Sequence, residues 1–194
     1  MTARREFLKF LGFGGAAFFL FGHTPYRQWV VYRSHRLLIV AGRAEPEAFP
    51  LTERLVGDLL RAIPESKAEA ARTPTLRHIT RLLLSRQIPL AVVTAEQAEL
   101  MFRGEGEGRA EGPVPLRVLA FLQEPYVLVS HVEYDRDRAY LVVFGLFDGN
   151  GSQALSSRYR TLATMINRSR AIRVPLHSGT FDFLLEIQAG APPS

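Results

Sequence analysis

The residues that could do chemistry are few, and their spacing excludes more than it supports. The histidines His23, His35, His78, His131 and His177 form no HxxxH or HExxH pair, so a zinc site has no basis in the sequence. Cysteine is absent, which removes disulfides, thiolate metal sites and a thiol nucleophile. No serine stands in a G-x-S-x-G elbow. Asp135 and Asp137 read as carboxylates near a helix start, where they complement the helix dipole. Gly104–Pro115 (GEGEGRAEGPVP) has the glycines of a phosphate cradle, but it follows a helical pattern and its glutamates would repel an anion, so it reads as a loop. Asp148–Ser152 (DGNGS) lacks the closing glutamate of a calcium loop and reads as a turn. His177, in Val174-Pro175-Leu176-His177-Ser178-Gly179, is the most conspicuous single residue, and a turn histidine satisfied by backbone groups is its economical reading. The expectation is a protein with no catalytic residues, metal or cofactor.

The elements that would position any binding groups centre on Thr73–Phe102. Thr73 is a candidate N-cap with Pro74 at the first helical position, followed by Leu76, Ile79, Leu82 and Leu83 at helical spacing. Pro89 blocks continuation, and Leu90–Val93 reads as a buried strand. Thr94 and Gln97 match a capping box, opening a helix with Ala95, Ala98, Leu100, Met101 and Phe102 as its apolar set. Arg36–Ala41 is a continuous apolar strand, and Leu51–Ala62 an amphipathic helix with Leu51, Leu55, Val56, Leu59 and Leu60 inward. Lys67–Arg72 reads as a short strand, with right-handed crossovers expected. Leu116–Leu122 and Tyr126–Val132 read as further strands. Asp135 caps a helix closed by Gly149, Arg158–Arg170 is a long amphipathic helix with Leu162, Met165 and Ile166 inward, and Gly179–Gln188 a terminal helix. The predicted fold class is α/β, a three-layer sandwich on a mostly parallel sheet.

The N-terminus carries a different kind of signal. Arg4 and Arg5, then Phe7, Leu8 and Lys9, precede the apolar run Phe10–Phe21, the pattern of a twin-arginine export signal. No A-x-A cleavage site follows, so retention as an anchor is as well supported as removal. About a dozen residues rise only ~18 Å as a helix, short of the ~30 Å hydrocarbon core, so an anchor would need Trp29, Val30 and Val31 as well. The expected organisation is a signal or anchor over 1–22, a linker over 23–34, one α/β domain over 35–188 and a tail over 189–194. The formal charge of +5 falls to +3 without the signal, and Lys9 and Lys67 are the only lysines. No arginine run alternates with aromatics as a stacking groove would, so nucleic acid is not an expected partner.

In order along the chain, Ile88–Ala98, Leu116–Leu122 (compare LRAVASL), Ala139–Phe147 (AYLVVFGLF) and Val174–Gly179 with Glu186 resemble the motifs of the TAXI family, the solute-binding subunits of TRAP-type transporters. The resemblance implies an exported, periplasmic, membrane-associated solute-binding protein built like one lobe of a type II periplasmic binding protein. The second lobe that the family inserts is missing here, since Leu116–Leu122 leads almost directly to Tyr126–Val132. An open lobe implies weak binding of a small carboxylate or amino acid at the strand ends. The implied contacts are Gly42 and Arg43 after the first strand, Thr73 and Thr75 at the second helix, Thr94 and Gln97 at the third, and His177. Glu45 and Glu47 stand where the family's ligand loop is rich in small residues, and would oppose an anion, with Arg43 as partial compensation. The implied partner is a membrane permease. The rival expectation is a non-transport accessory protein that docks on a periplasmic or membrane enzyme complex.

Overall fold

The computed structural model describes residues 36–147, 164–165 and 167–189. The twin-arginine residues, the 148–152 turn, Gly149, Leu162 and Ile166 lie outside the described residues. Those described belong to the unit His35–Ser194.

Five strands form one sheet: β1 (Leu38–Gly42), β2 (Glu69–Thr73), β3 (Leu90–Thr94), β4 (Leu116–Phe121) and β5 (Tyr126–His131), in the order β2-β1-β3-β5-β4. β1 pairs parallel with both β2 and β3, whereas β5 runs antiparallel to β3 and β4. Past β4, a single parallel bridge joins Val118 to Leu176, so the chain near His177 covers that edge. The sheet is therefore mixed. Its centre is dry: Ile39, Ala41, Leu90, Ala91, Leu116, Ala120, Val127, Leu128 and Val129 are fully buried. Apolar runs buried on both faces are what strands covered by helices on each side require. β2 (EAART) is the exception, an edge strand whose Glu69 pairs with Arg36 at 2.9 Å.

Helices α1 (Ala48–Ala62), α2 (Leu76–Leu84) and α3 (Ala95–Arg103) link the strands, and α4 (Arg136–Phe147) and α5 (Ser178–Ala189) follow the hairpin. The route from β1 out to β2 and back past β1 to β3 places α1 and α2 on opposite faces if both crossovers are right-handed. Their neighbours agree: α1 packs with α4 and α4 with α5, whereas α2 and α3 share the short 3₁₀ turn Gly106–Glu111. This is the layering of an α/β sandwich. Helical residues at 164–165 and 167–171 add Met165, fully buried, to the core.

Several local expectations move. Thr73 ends β2 instead of capping α2, and Thr75 is the cap, its Oγ1 accepting from His78 N at 3.2 Å. Pro74 disfavours a helical conformation for the residue before it, which keeps Thr73 extended and in the sheet. The β2 reading of 67–72 slides to 69–73, because Lys67 takes a left-handed conformation (φ 45°) to end a 3₁₀ turn. Leu60 is 39% exposed, so the buried stripe of α1 is Leu51, Leu55 and Leu59. The Gly104–Pro115 loop contains the 3₁₀ turn, and Gly104 (φ 72°) closes α3 in a left-handed conformation.

Candidate functional site

At the carboxyl end of the sheet the chain leaves β1 toward β2, on one side, and leaves β3 toward β4, on the other. A crevice opens where the connections diverge, the usual place for a ligand in an open α/β sheet. Three segments meet there: the Arg43–Glu47 loop after β1, the start of α3, and the β4–β5 turn with its cis Glu124–Pro125 bond.

The start of α3 is set by a reciprocal capping box. Thr94 Oγ1 accepts from Gln97 N, and Gln97 Oε1 accepts from Thr94 N, both at 3.1 Å. This uses the amide oxygen and leaves Nε2 free to donate outward. It donates to Glu45 Oε1 at 2.9 Å, across 52 residues of sequence. Tyr126 Oη, at the foot of β5, lies 3.5 Å from Glu45 Oε2. A carboxylate from the protein's own β1–α1 loop thus sits beside the N-terminus of α3, where helix dipole and amide donors favour negative charge. Burial of Tyr126, then the charges of Glu45 and Glu47, hold its hydroxyl above its ordinary pKa, so it keeps its proton as a donor.

Beside this contact lies a solvent-open groove of ≈ 310 Å³ between the first turns of α1 and the β4–β5 turn. Pro46, Pro50 and Leu51 give it an apolar wall. Glu47, Arg54, Gln123 and Tyr126 supply its polar groups.

The expected contacts fall into three groups. Gly42 and Thr73 are register partners at the ends of β1 and β2, and Arg43 N donates to Thr73 O at 2.9 Å. Thr73 is 3% exposed and its Oγ1 has no hydrogen-bond partner. Thr75, Thr94 and Gln97 stand at helix starts, with both threonine oxygens already accepting cap bonds. His177 is not brought to this crest. It is 2% exposed, Nε2 lies 3.0 Å from Tyr134 O, and Nδ1 accepts from Gly179 N at 3.2 Å. A carbonyl facing Nε2 and an N–H facing Nδ1 fix a neutral imidazole protonated at Nε2. Burial, the largest influence, keeps its pKa below the ordinary value. The ring serves the turn.

Sequence reasoning did not identify Tyr126, Gln123 or Arg54 as crest residues, and it read Glu45 only as an opponent of anions. Tyr126 and Glu45 are 81 residues apart, and no local pattern announces such a contact. The one usable signal was the pairing of Thr94 with Gln97, because a capping box leaves the glutamine amide nitrogen unspent.

No family model matches the chain, and no curated protein matches it. Among the described residues, no group of three or more histidine, aspartate or glutamate side chains could hold a metal ion, and no helix is long and apolar enough to cross a membrane.

Proposed function

We propose that this chain is a non-catalytic binding protein, an exported single-lobe relative of TAXI solute-binding subunits. It takes a small carboxylate or amino-acid solute weakly at the carboxyl ends of its strands. The observation that carries the reading is Glu45: at the topological switch point, Gln97 and Tyr126 already hold a carboxylate, next to an open groove. The twin-arginine pattern at Arg4 and Arg5 supports export, and the chain order of the TAXI-like segments supports the likeness to a type II lobe. A groove open to water leaves much of a ligand hydrated, so millimolar affinity is the expectation.

The test is an NMR titration of the full chain with glutamate, glutamine and C4 dicarboxylates. Saturable amide shifts at Gln97, Gln123 and Tyr126 are expected. Shifts that stay linear, or that spread evenly over the surface, would rule out a site there.

A second reading, a docking role on a membrane or enzyme complex, draws on one feature. Phe181 and Leu185, one turn apart on α5, are 55% and 47% exposed. Pull-down from solubilised membranes with Phe181→Ser/Leu185→Ser as the control bait checks it. A partner recovered by the parent chain and lost with the control would favour this reading over the first.

A further inference from the structure

The groove beside Tyr126 carries charges of both signs, and neither is neutralised within the described protein. Glu47 immediately precedes α1 and Arg54 lies seven residues on, within it. Seven residues are about two helical turns, or ~10 Å of rise, so both start from one side of the helix. They form no ion pair with each other or with any other described residue. The Glu45 carboxylate does not line the groove but lies 3.5 Å from the Tyr126 hydroxyl, which does. Glu124 and Arg168, at the β4–β5 turn, lie 3.8 Å apart and offset each other, so the charges left beside Tyr126 among the described residues are the carboxylates of Glu45 and Glu47 and the guanidinium of Arg54.

That balance decides between solutes. A dicarboxylate would place two further negative charges near Glu45 and Glu47, with Arg54 the one cation in the groove's described lining to answer them. A zwitterion meets complementary charge at both ends. Pro46, Pro50 and Leu51 offer its side chain an apolar wall, and ≈ 310 Å³ lies at the small end of ligand sites.

We infer that the groove selects a zwitterionic amino acid with a small apolar side chain, its ammonium group on Glu47 and its carboxylate on Arg54. The inference rests on the reading that a small solute binds at this crest.

The experiment titrates the full chain with leucine, N-acetyl-leucine, leucinamide and succinate, following the same amide signals. Leucine should bind about tenfold or more tightly than the two blocked forms and succinate. Both charged side chains belong to exposed residues with no ion-pair partner among the described residues, so Glu47→Gln and Arg54→Gln should fold as the parent does. Glu47→Gln should bring leucine down to the affinity of N-acetyl-leucine, and Arg54→Gln should bring it down to that of leucinamide. Leucine no better than its blocked forms, or succinate the strongest of the four, would overturn the zwitterion while leaving a solute site in place. Silence from all four would remove the solute reading itself, and the zwitterion with it.

Discussion

The seam between α4 and α5 and the crest around Tyr126 use the same residue types to opposite ends. In the seam, Gly179 packs against the opposing backbone so closely that an added Cβ would lie 2.2 Å from Arg136 O and 2.6 Å from Tyr140 N. Around it Arg136 grips Asp182 through two bonds of 2.5 and 2.7 Å, Tyr140 donates to Glu186 at 2.5 Å, and Thr180 donates to Leu119 O at 3.0 Å. At the crest the Tyr126–Glu45 contact is a loose 3.5 Å, Arg54 and Glu47 have no ion-pair partner among the described residues, and a groove stands open. Polar groups that satisfy one another hold structure, and polar groups left over are available for a ligand. By that measure the histidine that stood out in the sequence belongs to the seam.

The sharpest way to break this contrast is Gly179→Ala. The clash is with two backbone atoms of α4, which cannot yield as a side chain tip can, so a loss of about 3 kcal/mol or more is expected in chemical denaturation. A loss below about 1 kcal/mol would mean that the helices are not packed this tightly.

His177→Gln should cost about 2 kcal/mol, since Tyr134 O and the Gly179 N–H lose their ring partner in a buried site. The pH dependence has a definite sign. The folded-state pKa is lowered, so the unfolded chain binds the proton more readily. The contribution is complete above the ordinary histidine pKa and is lost as pH falls through it toward the folded value. His131 is shifted in the same direction, chiefly by burial, and adds to the slope. Melting temperatures of the parent chain should therefore fall from pH 7 to pH 5, and the slope should be shallower in the variant. An unchanged slope would show that His177 is not the titrating group.

Tyr140→Phe removes the bond to Glu186 and keeps the ring that meets Phe183 edge-on, so about 1 kcal/mol is expected. The smallest effect belongs to the crest. Glu45→Ala should cost under ~1 kcal/mol, a change of at most a few degrees in melting temperature, because its contacts are partly solvated. A cost matching that of His177→Gln would make the crest a structural seam as well, and would weaken the case for a site there.

What could be read locally was read well where one short segment contains the whole cause. The capping box of Thr94 and Gln97, the buried run Leu90–Val93 and the loop that begins at Gly104 each depend on neighbours within a few residues. Errors arose where two local rules competed, as when Pro74 suited a helix start but its effect on the preceding residue left Thr73 in β2. The antiparallel placement of β5 between β3 and β4 is invisible locally, because an apolar strand reads alike in either direction.

The sequence by itself determined the α/β class, the capping box that opens α3 and the absence of cysteine chemistry, since propensity, capping and composition act over one or two turns of chain. Only the tertiary structure decided that Glu45 would sit on Gln97 and Tyr126, that His177 would be spent on its own turn, and that Arg54 and Glu47 would share a groove without pairing. Each of those outcomes depends on distance in space between residues far apart in the chain, and hydrogen bonds and charges act through space.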